Sequence, residues 1–322
     1  MKKLLVLVLV VVLVMATFVA CAKPAEVVVE EPAAVEEPAA EEVVEEVVEE
    51  AMYADGVYFA QEDAFGGSGW RYFVIVTVDG GKIVDAQWRG THQVPQGDKR
   101  EQSEAGTYGM VKFGSAASFW YEQADAAIAW LLESQDPTEF EAFYTDEDGH
   151  TDALTTDGGA AVSVHVVEFF ELVEKALANP AVPAGAYMDA VAVNHAELPL
   201  DDHGWIYKGD FVVANGTIVF ANVNPLFGNE YVEGGDDAAN FKVDDEGEAT
   251  ALSKKEIGDD YNMVAFGDAQ AEWYEQAATM EAFILENQAL EVKLDEEGVT
   301  YAVTGVSIHI SEFVELFNLA LK

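Results

Sequence analysis

An α+β fold is what this sequence predicts: two tandem copies of a small domain, each with a mostly antiparallel sheet and packed helices. Three observations carry that expectation. One pattern runs through the chain twice, and internal repeats decide architecture before anything else. Runs rich in Val, Ile, Phe and Tyr flank Gly-rich turns, the mark of β-hairpins. Apolar residues then recur at helical spacing in two segments of each half.

The first copy starts near Asp55-Gly56-Val57-Tyr58. Gly69-Trp70 opens a strand, and residues 71–78, Asp79-Gly80-Gly81 and residues 82–88 read as a hairpin. The second copy repeats this with Gly204-Trp205, residues 206–213, Ala214-Asn215-Gly216 and residues 217–223. Asn-Gly is the stronger turn signal, because both central residues of a tight hairpin need positive φ. Gly106-Thr107-Tyr108-Gly109-Met110 then matches Asp259-Asp260-Tyr261-Asn262-Met263. Each leads to a helix carrying Trp-Tyr-Glu-Gln-Ala, at 120–124 and 273–277, with Asp268 the expected N-cap of the second. Phe119, Trp120, Ala124, Ile128 and Leu131 form one face; Trp273, Ala277, Met280, Phe283 and Ile284 form its counterpart. These aromatics read as core packing first and as a ligand platform second. Each copy closes with a polar Gly/Asp/Glu-rich stretch, a short strand, a Gly–hydroxyl segment and an apolar-faced helix: Phe169, Leu172, Val173 and Ala176 in one, Phe313, Leu316, Phe317 and Ala320 in the other. The copies span residues 52–179 and 185–322, joined by a Pro-containing linker at 180–184.

Ahead of them, residues 1–21 read as a lipoprotein signal. Lys2 and Lys3 precede an apolar run, and Ala20 stands before Cys21, the only cysteine and the expected lipidation site. An uncleaved anchor is the alternative, since Phe18 replaces the usual Leu. Either reading places the body outside the cytoplasm, anchored to the cell membrane or outer membrane. With Cys21 lipidated the mature chain has no thiol, which excludes disulfide scaffolds, thiolate-bound zinc, iron–sulfur clusters and Cys nucleophiles. Residues 22–51 are a Glu/Val/Pro/Ala tether whose like charges extend it. The net charge of −44 argues against nucleic acid as a partner, because phosphate backbones are bound by clustered Lys and Arg. It equally disfavours docking the body on an anionic membrane.

The candidate chemistry lies before the last helices. Thr304-Gly305-Val306-Ser307-Ile308-His309 aligns with Ala160-Ala161-Val162-Ser163-Val164-His165, so Ser307 stands against Ser163. A Gly beside hydroxyls before a helix suits an anion, since glycine allows close approach and helix-start N–H groups favour negative charge. Capping and turn formation by Ser311 and Ser307 is the plainer alternative. His165 and His309 sit within apolar alternation and read as core or edge residues. The acidic runs 146–149, 244–247 and 295–298 lack EF-hand spacing and read as turns. There is no HExxH, Walker or GxSxG pattern.

The same segment resembles the C-terminal motif of FMN-binding domains, Asp-x-x-(Ser/Thr)-Gly-Ala-(Ser/Thr) before a helix. That family includes a flavin-bearing component of the sodium-pumping NADH:quinone reductase and flavin-bearing lipoproteins of extracellular electron transfer. Thr304, Gly305 and Ser307 match in the second copy, with Val306 for Ala and Tyr301 for Asp; Asp157 and Ser163 match in the first, with Ala160 and Ala161 replacing the hydroxyl and Gly. The run from Ser253-Lys254-Lys255 to Tyr261-Asn262-Met263 is similar to the mid-domain motif of those lipoproteins. The resemblance implies FMN, held at Ser307 or Ser163 through a phosphoester installed by a flavin transferase. It also implies a tethered carrier passing electrons between redox partner proteins. A flavin-free structural or binding lipoprotein on the same fold is the second reading.

Overall fold

The computed structural model describes residues 52–188, 191–267 and 269–322. Cys21, the signal segment, the tether and Asp268 lie outside the described residues. The described residues belong to one compact unit.

In chain order the strands and helices begin with β1 (Gly56–Gln61), β2 (Trp70–Asp79) and β3 (Lys82–His92). Helices α1 (Lys99–Glu104), α2 (Met110–Gly114), α3 (Trp120–Ser134) and α4 (Val167–Ala178) follow. Next come β4 (Val193–Glu197), β5 (Trp205–Ile206), β6 (Lys208–Ala214), β7 (Thr217–Val223) and β8 (Leu226–Phe227). A small hairpin, β9 (Phe241–Val243) with β10 (Ala249–Ala251), precedes α5 (Lys254–Ile257), α6 (Met263–Gly267), α7 (Trp273–Asn287) and α8 (Ser311–Leu321). Helices combined with antiparallel sheets make this an α+β fold, as the sequence predicts.

Two antiparallel three-stranded sheets, ordered β1-β2-β3 and β4-β6-β7, lie at the centre. Their central strands β2 and β6 are largely apolar because both of their faces are covered. On β2, Val74, Val76 and Val78 pack with Trp120, Leu131, Phe169 and Val173 of α3 and α4. On β6, Phe211 and Val213 pack with Trp273, Ile284, Phe313 and Leu316 of α7 and α8. The alternate residues point the other way: Phe73 and Ile75 meet Val193, Val212, Ala214 and Phe220 in a third cluster between the sheets. The order is therefore helices, sheet, sheet, helices.

Both hairpin turns are local and match expectation. Gly80 and Gly81 have φ of 59° and 76°; Asn215 and Gly216 have 50° and 74°. The second turn is also clamped: Gly185 donates to the Asn215 carbonyl at 2.8 Å, Tyr187 to the Gly216 carbonyl at 3.0 Å, and the Asn215 amide to the Val182 carbonyl at 2.8 Å. A Cβ on Gly216 would lie 2.7 Å from the Gly185 oxygen, whereas one on Gly80 meets nothing. Gly216→Ala is thus expected to lose about 2–3 kcal/mol and Gly80→Ala only about 1, the left-handed backbone penalty alone. Urea titration of the two variants checks the difference.

Three local expectations are corrected. Tyr301–Thr304 is a bend and turn rather than a strand; only an isolated Leu294–Thr300 bridge forms, and the Thr300 hydroxyl bonds the Lys293 carbonyl. Ser311 does not cap α8: it is the first helical residue, and Ile310 is the N-cap. Helix α7 starts at Trp273 with Glu272 as N-cap, its carboxylate accepting the Met263 and Val264 N–H groups at 2.9 and 3.0 Å. A separate short helix, α6, therefore takes the segment in front of it, as α2 does in the first half.

Candidate functional site

Two lysines organise the site. Lys99 opens α1 and Lys254 opens α5, each just after a buried capping residue. Asp98 accepts the Arg100 N–H at 2.9 Å and pairs with Arg89. Ser253 forms a capping box with Glu256, whose carboxylate accepts the Ser253 N–H at 2.9 Å. These caps fix the helix starts and send both lysine side chains inward, where the two residues are only 2% and 5% exposed.

Each ammonium meets four aromatic rings. Lys99 Nζ lies 5.4, 4.5, 4.7 and 5.2 Å from the ring centres of Trp70, Tyr72, Tyr108 and Trp120. Lys254 Nζ lies 4.8, 5.1, 5.2 and 5.2 Å from those of Trp205, Tyr207, Tyr261 and Trp273. Lys99 donates to the Tyr72 hydroxyl, and Lys254 to the Tyr207 hydroxyl at 3.1 Å. Among the described residues no carboxylate lies within ion-pair distance of either amine. Burial pushes the Lys99 amine down to about 7 against the Glu168 and Glu62 carboxylates, which pull it up. Burial likewise pushes Lys254 down to about 8 against Asp201 and Glu312. The same burial raises the Tyr72 and Tyr207 phenols, which stay protonated at neutral pH.

A cavity opens over each box. The one over Lys254 has a volume of about 340 Å³ and reaches Met263, Ser307, His309 and Glu312. The one over Lys99 measures about 280 Å³ and reaches Met110, Ser163, His165 and Glu168. Ser307 and Ser163 thus both lie at cavity walls, with exposed side chains. Thr304, Gly305 and Asp157 are exposed but line neither cavity. His165 and His309 stand exposed on the cavity walls rather than in a core, because the segments around them are loops and not alternating strands.

The backbone at the two serines is already engaged. Gln276, buried on α7, accepts the Ser307 and Ile308 N–H groups on Oε1 at 2.7 and 3.2 Å, with the Ser307 hydroxyl 3.2 Å away. Gln123 on α3 does the same for Ser163 and Val164 at 2.6 and 3.1 Å. Both are the Gln of the repeated Trp-Tyr-Glu-Gln-Ala. An internal side chain therefore occupies two successive N–H groups just ahead of each last helix.

The acidic runs are turns, as expected. Asp146, Asp244 and Asp295 each accept two N–H groups of their own loop, at 2.8–3.1 Å. In the first, the ligand atoms of Asp146, Asp148 and His150 lie within 4.8 Å of one another. Asp146 already bonds His150 Nδ1 at 2.7 Å, which closes the turn.

The lysine boxes are what sequence reasoning passed over. The signal was there: Gly-Trp-x-Tyr at 69–72 and 204–207, each followed by a capping residue and Lys, at 98–99 and 253–254.

No protein-family model and no curated protein matches the chain. A solved structure, a solution NMR structure of a Clostridium thermocellum protein, is 40% identical over 38% of this chain and 88% of its own, with a TM-score of 0.28. At that score the likeness carries no weight for fold or function. Among the described residues, no helix is long and apolar enough to cross a membrane.

Proposed function

We propose that the protein is an FMN-binding, lipid-anchored electron carrier outside the cytoplasm, built on a duplicated domain spanning residues 52–179 and 185–322. The observation that carries the reading is the repeated pairing of an exposed serine hydroxyl with a ring-walled cavity, at Ser307 and again at Ser163. A hydroxyl at the cavity wall is open to a flavin transferase, and aromatic walls suit a planar ring. In the first site Glu168 Oε2 is buried without a protein partner, an acceptor that a ring N–H would satisfy.

Gln276 and Gln123 hold the N–H groups of Ser307 and Ile308 and of Ser163 and Val164, so a phosphate does not bind through these four. The residues suit a flavin attached through the serine oxygen and lodged against Tyr261, Trp273 and Met263, or Tyr108, Trp120 and Met110. When bound, the flavin supplies the redox chemistry itself. The chain's residues wall the ring off from water on one side and set its electrostatics through the lysines and Glu168 or Glu312. Redox partner proteins and the membrane anchor at Cys21 belong to this proposal.

The engaged amides favour a second reading: a flavin-free binding lipoprotein in which Gln276 and Gln123 simply brace the two loops. One experiment separates them. The mature chain is co-expressed with a flavin transferase and acid-precipitated, and its visible spectrum is read. Yellow colour in the precipitate, lost stepwise in Ser307→Ala and Ser163→Ala, is the expected result. Colourless protein in both fractions overturns the carrier and leaves the flavin-free reading.

A further inference from the structure

We propose that Lys99 and Lys254 are reactive amines that capture small planar aldehydes and ketones as imines inside their ring-walled cavities. The proposal is independent of flavin, since it needs only the amines and their surroundings.

The argument begins with the box. A surface lysine is a hydrated cation, and a protonated amine has no lone pair to give. Here both side chains are taken out of water by four rings, and each amine's hydrogen bond goes to a neutral phenol rather than to a carboxylate. Desolvation in an apolar pocket is how a lysine becomes a nucleophile near neutral pH. The charged groups that oppose this are Glu62 and Glu168 around Lys99, and Asp201 and Glu312 around Lys254; burial outweighs them in both boxes. His165 lines the first cavity, and His203 and His309 line the second. The cavities give room for a reactant of single-ring size. Their aromatic and Met lining favours a flat apolar one over a charged one. Finally, the arrangement occurs twice, on equivalent residues in both halves, so it is a feature of the architecture rather than of one loop.

The chemistry balances without an oxidant or reductant. The amine lone pair attacks the carbonyl carbon, forming a C–N bond while the C=O electron pair moves to oxygen, which takes a proton from water; the hydroxide left behind takes one of the two protons on the now cationic nitrogen. The resulting carbinolamine loses its hydroxyl as water while nitrogen gives up its remaining proton and the C=N bond forms. Amine plus carbonyl compound becomes imine plus water, and hydrolysis reverses it.

The test uses the mature chain prepared without a flavin transferase. It is incubated at pH 7 with benzaldehyde and sodium cyanoborohydride, digested, and its lysine peptides quantified by mass spectrometry. The exposed Lys112, Lys242 and Lys293 serve as internal references. About one exposed lysine amine in a thousand or fewer is neutral at that pH, against a substantial fraction of a strongly desolvated one. Benzyl labelling at Lys99 and Lys254 is therefore expected to exceed the references by about tenfold or more, even with restricted entry. Unfolding in guanidinium is expected to erase the preference, and Lys99→Arg to remove only the Lys99 label. Labelling of both residues at or below the reference level in the folded protein overturns the proposal. So does an identical pattern in folded and unfolded chains. Because this readout needs no colour, it fails or succeeds separately from the flavin experiment.

Discussion

Asp210→Ala is expected to cost about 2–4 kcal/mol of folding stability, because it removes a buried carboxylate that serves three partners, two backbone N–H groups and a histidine ring. Asp210 sits mid-strand on β6 with no exposure. Its carboxylate accepts the Gln96 and Gly97 N–H groups at 3.2 and 3.1 Å and bonds His195 Nδ1, across from it on β4, at 2.7 Å. Gln96 and Gly97 belong to the loop that leads directly into Asp98 and Lys99. Two neighbours reinforce the grip. Asn222 donates to the His92 and Gln93 carbonyls at 3.0 and 3.2 Å, and Asn224 to the Gln93 carbonyl at 2.8 Å. Gln93 in turn donates to Glu256, two residues after Lys254, at 3.0 Å. A polar seam from the second half thus positions the loop that carries the first lysine, and ties it to the helix that carries the second. Denaturant unfolding of Asp210→Ala and Asp210→Asn reads the effect. Asn keeps one acceptor and is expected to lose about 1–3 kcal/mol, the range for one unsatisfied buried group. A loss below about 0.5 kcal/mol in the Ala variant, the scale of a neutral surface change, would show that the seam does not hold the halves together.

What could be read from the sequence, and what could not, divides by distance along the chain. The hairpins were legible because Gly80-Gly81 and Asn215-Gly216 declare their turn within two residues. The faces of α4 and α8 were legible because Phe169, Leu172 and Val173, or Phe313, Leu316 and Phe317, repeat at helical spacing. The place of Ser163 and Ser307 ahead of the last helices was legible for the same reason, while the cavities that they border were not. The seam was not legible. Asp210 interrupts an apolar strand where Ile75 stands in the first half, yet its partners at Gln96 and Gly97 lie more than a hundred residues away. Tyr301–Thr304 looked like a strand because local pattern cannot show that the Thr300 hydroxyl bonds the Lys293 carbonyl instead. Nor was the brace beneath the serines legible: the N–H groups at Ser307 and Ile308 look free in sequence, and only the fold brings Gln276 to them. Each lysine box draws its rings from three separate segments and its lysine from a fourth, so no window of sequence contains it.

Replacing Lys99 by Met tests the box energetically and should make the protein more stable at low pH while leaving it little changed at high pH. In the folded chain the amine titrates at about 7, while in the unfolded chain it returns to about 10.4. Between those values the unfolded state binds the extra proton, so wild-type stability rises with pH across the window. The lysine's favourable contribution is complete only above its unfolded value and is lost as pH falls toward 7. Below that the folded chain carries a buried cation whose desolvation the four rings and the carboxylates of Glu62 and Glu168 only partly offset. Met is similar in length, has no charge to desolvate and makes favourable contacts with aromatic rings. With the two proteins similar above about pH 10, the Met variant is expected to be more stable than wild type by about 4–5 kcal/mol at pH 6, an advantage that shrinks by about 1.4 kcal/mol per pH unit from pH 7 upward. Urea titrations at half-unit steps from pH 6 to 9.5 check this, stopping short of tyrosine ionisation. Lys254→Met should behave likewise with its window starting near 8. Parallel wild-type and Met curves across the range would mean that Lys99 stays charged in its box. An approach of the two curves that begins near pH 7 would place a neutral amine behind Ser163 and His165, which is the state that both the imine chemistry and the electrostatics of a bound ring depend on.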